Sequence, residues 1–304
     1  DADTIAATLE SSFYEPGFDA IAVIENALQA NNFVVSMDDT SGSVLSLKCK
    51  QPFTIEVQDS KGGASLVGIK NETLTFSNLP GKNVPIGYIV KVVGNASATQ
   101  DDFYVKYEQE TGGEGVWKET IAPSLDTGFD VTTMPHRLIR LYDNAATPQK
   151  FFLYEPVKEV AAGGAGTSIS SFGARFGWSS RKAGDDTSNP FPTFVGGKIN
   201  DILFHKNRFG ILSDENIIFS EAGNYYNFFP ISVMSALDGN PIDISVSNNQ
   251  VSILTHAAAF DQSLLLFSDF QQFSLNSEGE GFTPSSVSVD VVTQFESTSK
   301  APPV

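Results

Sequence analysis

The 304-residue sequence predicts a mainly β protein with a small α+β domain at its N-terminal end. Three observations lead there. From residue 86 onward, short runs of β-branched and aromatic residues recur, several in strict alternation, divided by Gly, Asn and Asp. Helical spacing is confined to the first 30 residues or so. Hydrophobic residues make up 41% of the chain and mean hydropathy is −0.08, enough apolar material for a core and too much for wholesale disorder.

The first domain is expected over residues 1–85. Ile5, Leu9 and Phe13 form an i, i+4, i+8 stripe, so Thr4 to Phe13 reads as a helix that Asp3 can cap and Pro16-Gly17 ends. A second helix is expected from Asp19 to Ala30, with Ile21, Ile24 and Leu28 inward and Asn31-Asn32 as its stop. Phe33 to Met37 and Val44 to Lys48 read as strands around a turn at Asp38 to Gly42. Phe53 to Gln58 and Thr73 to Phe76 read as further short strands.

Residues 86–304 are expected to form the β-rich body. Tyr88 to Val93 and the alternating Phe103 to Tyr107 open it, and Trp117 follows the Gly-rich turn at 112–115. Leu138 to Tyr142 and Phe151 to Tyr154 read as a pair. Residues 161–189 begin Gly/Ala/Ser-rich and are too long for an ordinary connection, so they read as a mobile excursion or surface loop. Four short strands are then expected at Ile202 to His205, Phe209 to Leu212, Asn216 to Phe219 and Tyr225 to Phe229. Four more follow at Ile242 to Ser247, Val251 to Thr255, Ser263 to Ser268 and Gln272 to Leu275. This rhythm suits propeller-like blades or a long meander, with a sandwich as the alternative.

Charge narrows the function. The chain holds 36 acidic and 19 basic residues, 19 − 36 = −17. Residues 1–85 carry 11 acidic and 5 basic, which leaves 25 and 14, or −11, for the body. Such a field does not grip DNA or an anionic membrane, although it lets DNA slide past. The single Cys49 excludes an internal disulfide framework and a Cys-based zinc site. No apolar run approaches the ~20 residues a membrane-spanning helix needs. The opening DADTIAATLE lacks Met and a signal-peptide pattern, and SKAPPV directly follows a strand-like run, so an internal piece of a longer polypeptide is expected.

Catalytic signatures are sparse. There is no P-loop, no GxSxG and no HExxH. His136, His205 and His256 are widely separated and read as structural. The acid pairs Asp101-Asp102, Asp185-Asp186 and Asp214-Glu215 are the remaining enzymatic idea, since glycosidases use two carboxyls. Adjacent acids in polar turns normally face water, which favours solvated turns. Asp238-Gly239-Asn240 resembles the start of a calcium loop, but the spacing and closing Glu are absent, so it reads as a turn before Pro241. His205 to Gly210 is the basic cluster flanked by aromatics, readable as a nucleic-acid contact or as a hairpin tip. No residue is assigned as catalytic, cofactor-binding or metal-ligating, and no cofactor is expected.

Long collinear motifs then carry a resemblance. NPFPTFVG (Asn189 to Gly196), INDILFHKNRFGILS (Ile199 to Ser213) and ENIIFSEAGNYYNFFP (Glu215 to Pro230) resemble the tail tubular protein B (tail nozzle) family of short-tailed phages. PIGYIVKVVG (Pro85 to Gly94), TMPHRLIR (Thr133 to Arg140), PIDISVS (Pro241 to Ser247) and VTQF (Val292 to Phe295) are similar to the same family in the same order. The likeness covers 85–304 well and the first 85 residues more loosely; the stretch 161–176 looks like an insertion. It implies a non-enzymatic structural subunit in the virion tail, made in the host cytoplasm. It further implies a homohexameric ring below the adaptor (tail tubular protein A), fibres or spikes docked nearby, and passage of DNA and ejection proteins. Two other classes stand beside it. One is a phage-tail polysaccharide-degrading enzyme using an acid pair such as Asp185-Asp186. The other is a carbohydrate-binding module that stacks sugars on Trp117 or Trp178.

Overall fold

The computed structural model describes residues 33–36, 44, 46–49, 53–57 and 67–304, excepting 83, 95–101, 111–112, 114, 143–149, 159–176, 247–249, 261, 280, 299, 302 and 304. Both helices expected before residue 31 lie outside these, as do 161–176 of the excursion. Among the described residues there is no α-helix, and the fold is small sheets of mostly antiparallel strands. The chain divides into two compact units, Asp1–Pro123 and Ser124–Val304, and the boundary expected at 85/86 falls inside the first.

In the first unit, β1 (Phe33–Ser36) and β2 (Ser46–Cys49) pair antiparallel with Phe33 opposite Cys49. Strands β3 (Glu72–Thr73), β4 (Ile89–Val92), β5 (Phe103–Gln109) and β6 (Gly115–Thr120) form a sheet in that order, with β3 parallel to β4. The alternation in β4 and β5 does what period two requires: Val90, Val92, Phe103, Val105 and Tyr107 all turn to one buried face. Gly115 lies opposite Gln109, and a Cβ there would come within 2.2 Å of the Tyr107 ring. Two expected strands differ. Residues 53–57 make no ladder. The run at Thr73 stops after that residue because Phe76–Asn78 winds into a 3₁₀ turn.

The second unit starts with a ribbon, β7 (His136–Tyr142) against β8 (Lys150–Pro156), with Leu138 opposite Tyr154. Two meanders follow. Strands β9 (Ile199–His205), β10 (Arg208–Ser213), β11 (Asn216–Phe219) and β12 (Ile242–Ser245) make one four-stranded sheet. Strands β13 (His256–Phe260), β14 (Ser263–Phe267), β15 (Gln272–Ser277) and β16 (Val287–Thr293) make the other. They share one core: Leu212, Ile217 and Phe219 of the first meet Leu264, Leu266 and Phe273 of the second. The opposite face of the first sheet, Phe209, Ile211 and Ile218, packs on Met134, Phe194 and Phe228. Sheet β9–β12 is therefore a middle layer, and all six residues of β10 are buried. Two meanders on a common core correspond to the meander reading; no propeller closes among the described residues.

The expected strand at Tyr225 to Phe229 is absent, and β12 is the fourth strand of its sheet. Phe228 and Phe229 are adjacent yet both buried, which a pleated strand does not allow on one face. The Asn227 side chain takes the ladder's place, accepting from Phe229 N–H at 3.1 Å and donating to the Phe229 carbonyl at 2.9 Å. Val251 to Thr255 is likewise not a strand. The Glu215 carboxylate accepts the Ser252 N–H at 2.7 Å, and the ladder begins only at His256. Residues 177–189 of the expected excursion are folded in: Arg181, Ala183 and Asn189 are all buried.

Candidate functional site

The acid pairs nominated by sequence are structural. Asp185 Oδ1 accepts from Thr187 N–H, Ser188 N–H and the Ser188 hydroxyl, closing its own turn. Asp186 binds Arg181 at 2.8 Å. Asp102 accepts the Gly94 N–H at 2.8 Å and pairs with Lys91; the Lys91 hydrogen bond, then that N–H, holds its carboxyl below the usual range. Asp101 lies outside the described residues. Asp214 sits at φ 49° in the β10–β11 turn, and Glu215 holds Ser252 as above. The histidines do not converge. His136 Nδ1 is 3.0 Å from the Met134 carbonyl and its ring stacks on Tyr154. His256 Nδ1 is 3.5 Å from Asp201 Oδ2. His205 meets Phe282 edge-on, and burial, then nearby Lys206, lowers its pKa. No cluster of three or more potential metal ligands occurs among the described residues.

The basic stretch His205 to Gly210 is a hairpin tip. Lys206 and Asn207 take φ of 45° and 61°, the left-handed pair a tight two-residue turn needs between twisted strands. Arg208 then points inward and is 1% exposed. Its NH1 donates to the carbonyls of Ser220, Gly239 and Asn240, and its NH2 to those of Asp238 and Phe282, at 2.7–3.2 Å. The Asp238-Gly239-Asn240 segment that resembled a calcium loop thus gives its carbonyls to a guanidinium. Arg208 is an internal cation that ties the β9–β10 hairpin to two remote loops. Burial pulls its pKa down, while the Glu221 charge pushes it up.

Arg181 is a second such brace. NH1 reaches Asp186 and the Asn189 carbonyl, NH2 reaches the Asp126 carbonyl, and the guanidinium lies 4.8 Å from the Phe191 centroid. A shallow cleft of about 440 Å³ opens beside it, lined by Leu125, Asp126, Asp186, Pro190 and Phe191 among others. The arginine's terminal nitrogens are turned to protein acceptors in that cleft. Trp178 belongs to the aromatic cluster, near Phe129, Phe209, Tyr226 and Phe228. Trp117 packs on Tyr88 and Tyr107, and its indole N–H donates to the Pro80 carbonyl at 2.8 Å. Both tryptophans are half-buried and pack in aromatic clusters, as scaffold residues do.

What the second unit does offer is exposed apolar sheet surface. On the β7–β8 ribbon, Leu138, Phe152 and Tyr154 are 64%, 63% and 68% exposed and share one face with Arg140. On β16, Val291 and Val292 are exposed, as are Phe270 and Phe295 in the adjoining segments, which are held together where Ser297 N–H donates to the Asp269 carbonyl and the Gln272 side chain to the Phe295 carbonyl. Surfaces of this kind mark docking sites more often than catalytic ones. Sequence reasoning placed the ribbon strands and missed their exposed apolar face. The available signal was the apolar alternation through Leu138 and Phe152 on a ribbon too narrow to bury both faces.

The comparisons with known proteins agree with that character. The family model described as bacteriophage nozzle protein matches residues 1–304. Tail tubular protein gp12 of Escherichia phage T7 is 38% identical over 229 residues, 75% of this chain and 25% of that protein. The chain therefore spans about a quarter of the length of that relative. A match along its full length places this chain, with its β scaffold, in the bacteriophage nozzle protein family.

Proposed function

We propose that the chain is part of a structural subunit of a phage tail tube, located in the virion tail, that conducts DNA and ejection proteins during infection. The observation that carries this reading is the nozzle-family match over residues 1–304. The charge supports it. DNA bears about one negative charge per 1.7 Å of axis, so a basic lumen would hold it by counterion release and stall its exit. A body of net −11 over residues 86–304 (14 basic, 25 acidic) repels it weakly instead. In this proposal six copies form a ring under the adaptor, fibres or spikes dock near that junction, and part of the acidic surface faces the channel.

Immunogold electron microscopy of purified virions tests it, with an antibody that binds the native chain. Gold at the distal end of a short tail is the expected result. Intact tails without label would overturn the assignment to the tube.

A further inference from the structure

Two exposed patches of the second unit carry opposite charge. The first is the outer face of the β7–β8 ribbon. By register Arg140 and Lys150 lie on this face, whereas Arg137 pairs with Glu155 on the other face of the ribbon. Leu138, Phe152 and Tyr154 form its apolar face. The second patch lies on the outermost strand of the other meander. β16 has a ladder partner only on its β15 side among the described residues. Val291, Val292, Phe270 and Phe295 are exposed there, and the main chain runs on past the ladder with Ser297 N–H donating to the Asp269 carbonyl at 2.8 Å. The same segments carry Asp269, Asp290 and Glu296, and residues 268–272 and 287–297 contain no Lys or Arg.

Resting on the ring reading above, we propose that the ribbon face of one copy docks on the β16 patch of a second copy of this chain. A closed ring repeats one contact between two different patches. These two match as such a contact must: apolar on apolar, a basic margin against an acidic one. The β16 edge also offers unpaired backbone groups for a neighbour's strand. Duplex DNA fits the ribbon less well. It would leave Leu138 and Phe152 without an apolar partner.

The test uses the full-length polypeptide. In a background whose native cysteines, Cys49 included, are replaced by Ser, Phe152→Cys and Val292→Cys single variants are mixed before assembly and treated with a short bis-maleimide, and rings are counted by negative-stain microscopy in the same samples. A cross-linked dimer in the mixture, absent from each variant alone, is the expected result. Rings without that dimer overturn the docking and leave the tube reading standing. Absence of both rings and dimer overturns the two together. A cross-link within one chain in the double variant, with none in the mixture, assigns the patch to another segment of the same polypeptide and also overturns the proposal. Arg140→Glu should lower dimer yield about tenfold, and Glu296→Arg in the partner should restore it. If Arg140→Glu instead leaves the dimer unchanged and weakens DNA retention, the ribbon face is a DNA contact and the proposal falls.

Discussion

Arg208 shows how one residue can organise a loop-rich protein. Its guanidinium satisfies carbonyls from three separate segments: Ser220, Asp238 to Asn240, and Phe282. Replacing it by Met keeps most of the volume and strands those acceptors in a buried site. Arg208→Met should therefore cost about 3–5 kcal/mol, read as a shift in the urea midpoint. Arg208→Lys should recover little, because one ammonium cannot span a forked set of acceptors. An unchanged midpoint for either would refute this account. His205 adds a pH dependence. Its folded pKa lies below the usual imidazole value of 6.5, chiefly because of burial. The unfolded chain thus binds a proton that the folded one resists, so this stability is complete above pH 6.5 and is lost as pH falls below it. His205→Gln should flatten the fall in Tm between neutral and mildly acidic pH. A variant that loses Tm as steeply as the parent would show that other groups are responsible.

At the scale of elements, β10 is the strand on which both layers depend. Its side chains alternate between the core shared with the second meander and the aromatic cluster on the other side. Gly210 lies where the sheet is tightest: a Cβ there would meet Leu203 Cγ and Phe219 Cε1, both at 2.9 Å. Gly210→Ala should destabilise by about 1–3 kcal/mol through overpacking, and Ile211→Ala by about 2–5 kcal/mol through a cavity. Chemical denaturation of the two variants checks both, and a neutral Gly210→Ala would mean the middle layer yields more readily than its packing implies. Strands with clean alternation or β-branched runs, such as Phe103–Gln109 and Asn216–Phe219, were legible in the sequence. Tyr225 to Phe229 was not, because five apolar-rich residues resemble a strand until Asn227 is seen satisfying the backbone itself. The basic cluster at His205 to Gly210 misleads in the same way, since nothing local says that Arg208 points inward.

For the whole molecule, the two compact units, Asp1–Pro123 and Ser124–Val304, predict two calorimetric transitions for this chain. A variant of the second unit's core, such as Ile211→Ala, should move one transition and leave the other. A single cooperative transition that moves as one would show that the units fold together. The charge argument also belongs at this scale: −17 is a property of the summed surface, and no single carboxylate carries it.

The β character of the body, the acidity that argues against a gripping DNA contact, and the family were all readable along the chain. These follow from composition, from period-two patterning and from long collinear motifs, which are properties of neighbours along the chain. Which charges are buried, which aromatic residues are scaffold and which sheet faces stay open emerged with the packing of distant segments. Arg208 and Lys206 are equally basic in sequence, yet one ties three remote segments to its hairpin from the interior and the other tips that hairpin. Leu138 and Leu266 are equally apolar, yet one faces water and the other is sealed between two meanders. Burial depends on what distant segments bring to a site, and no local pattern records that.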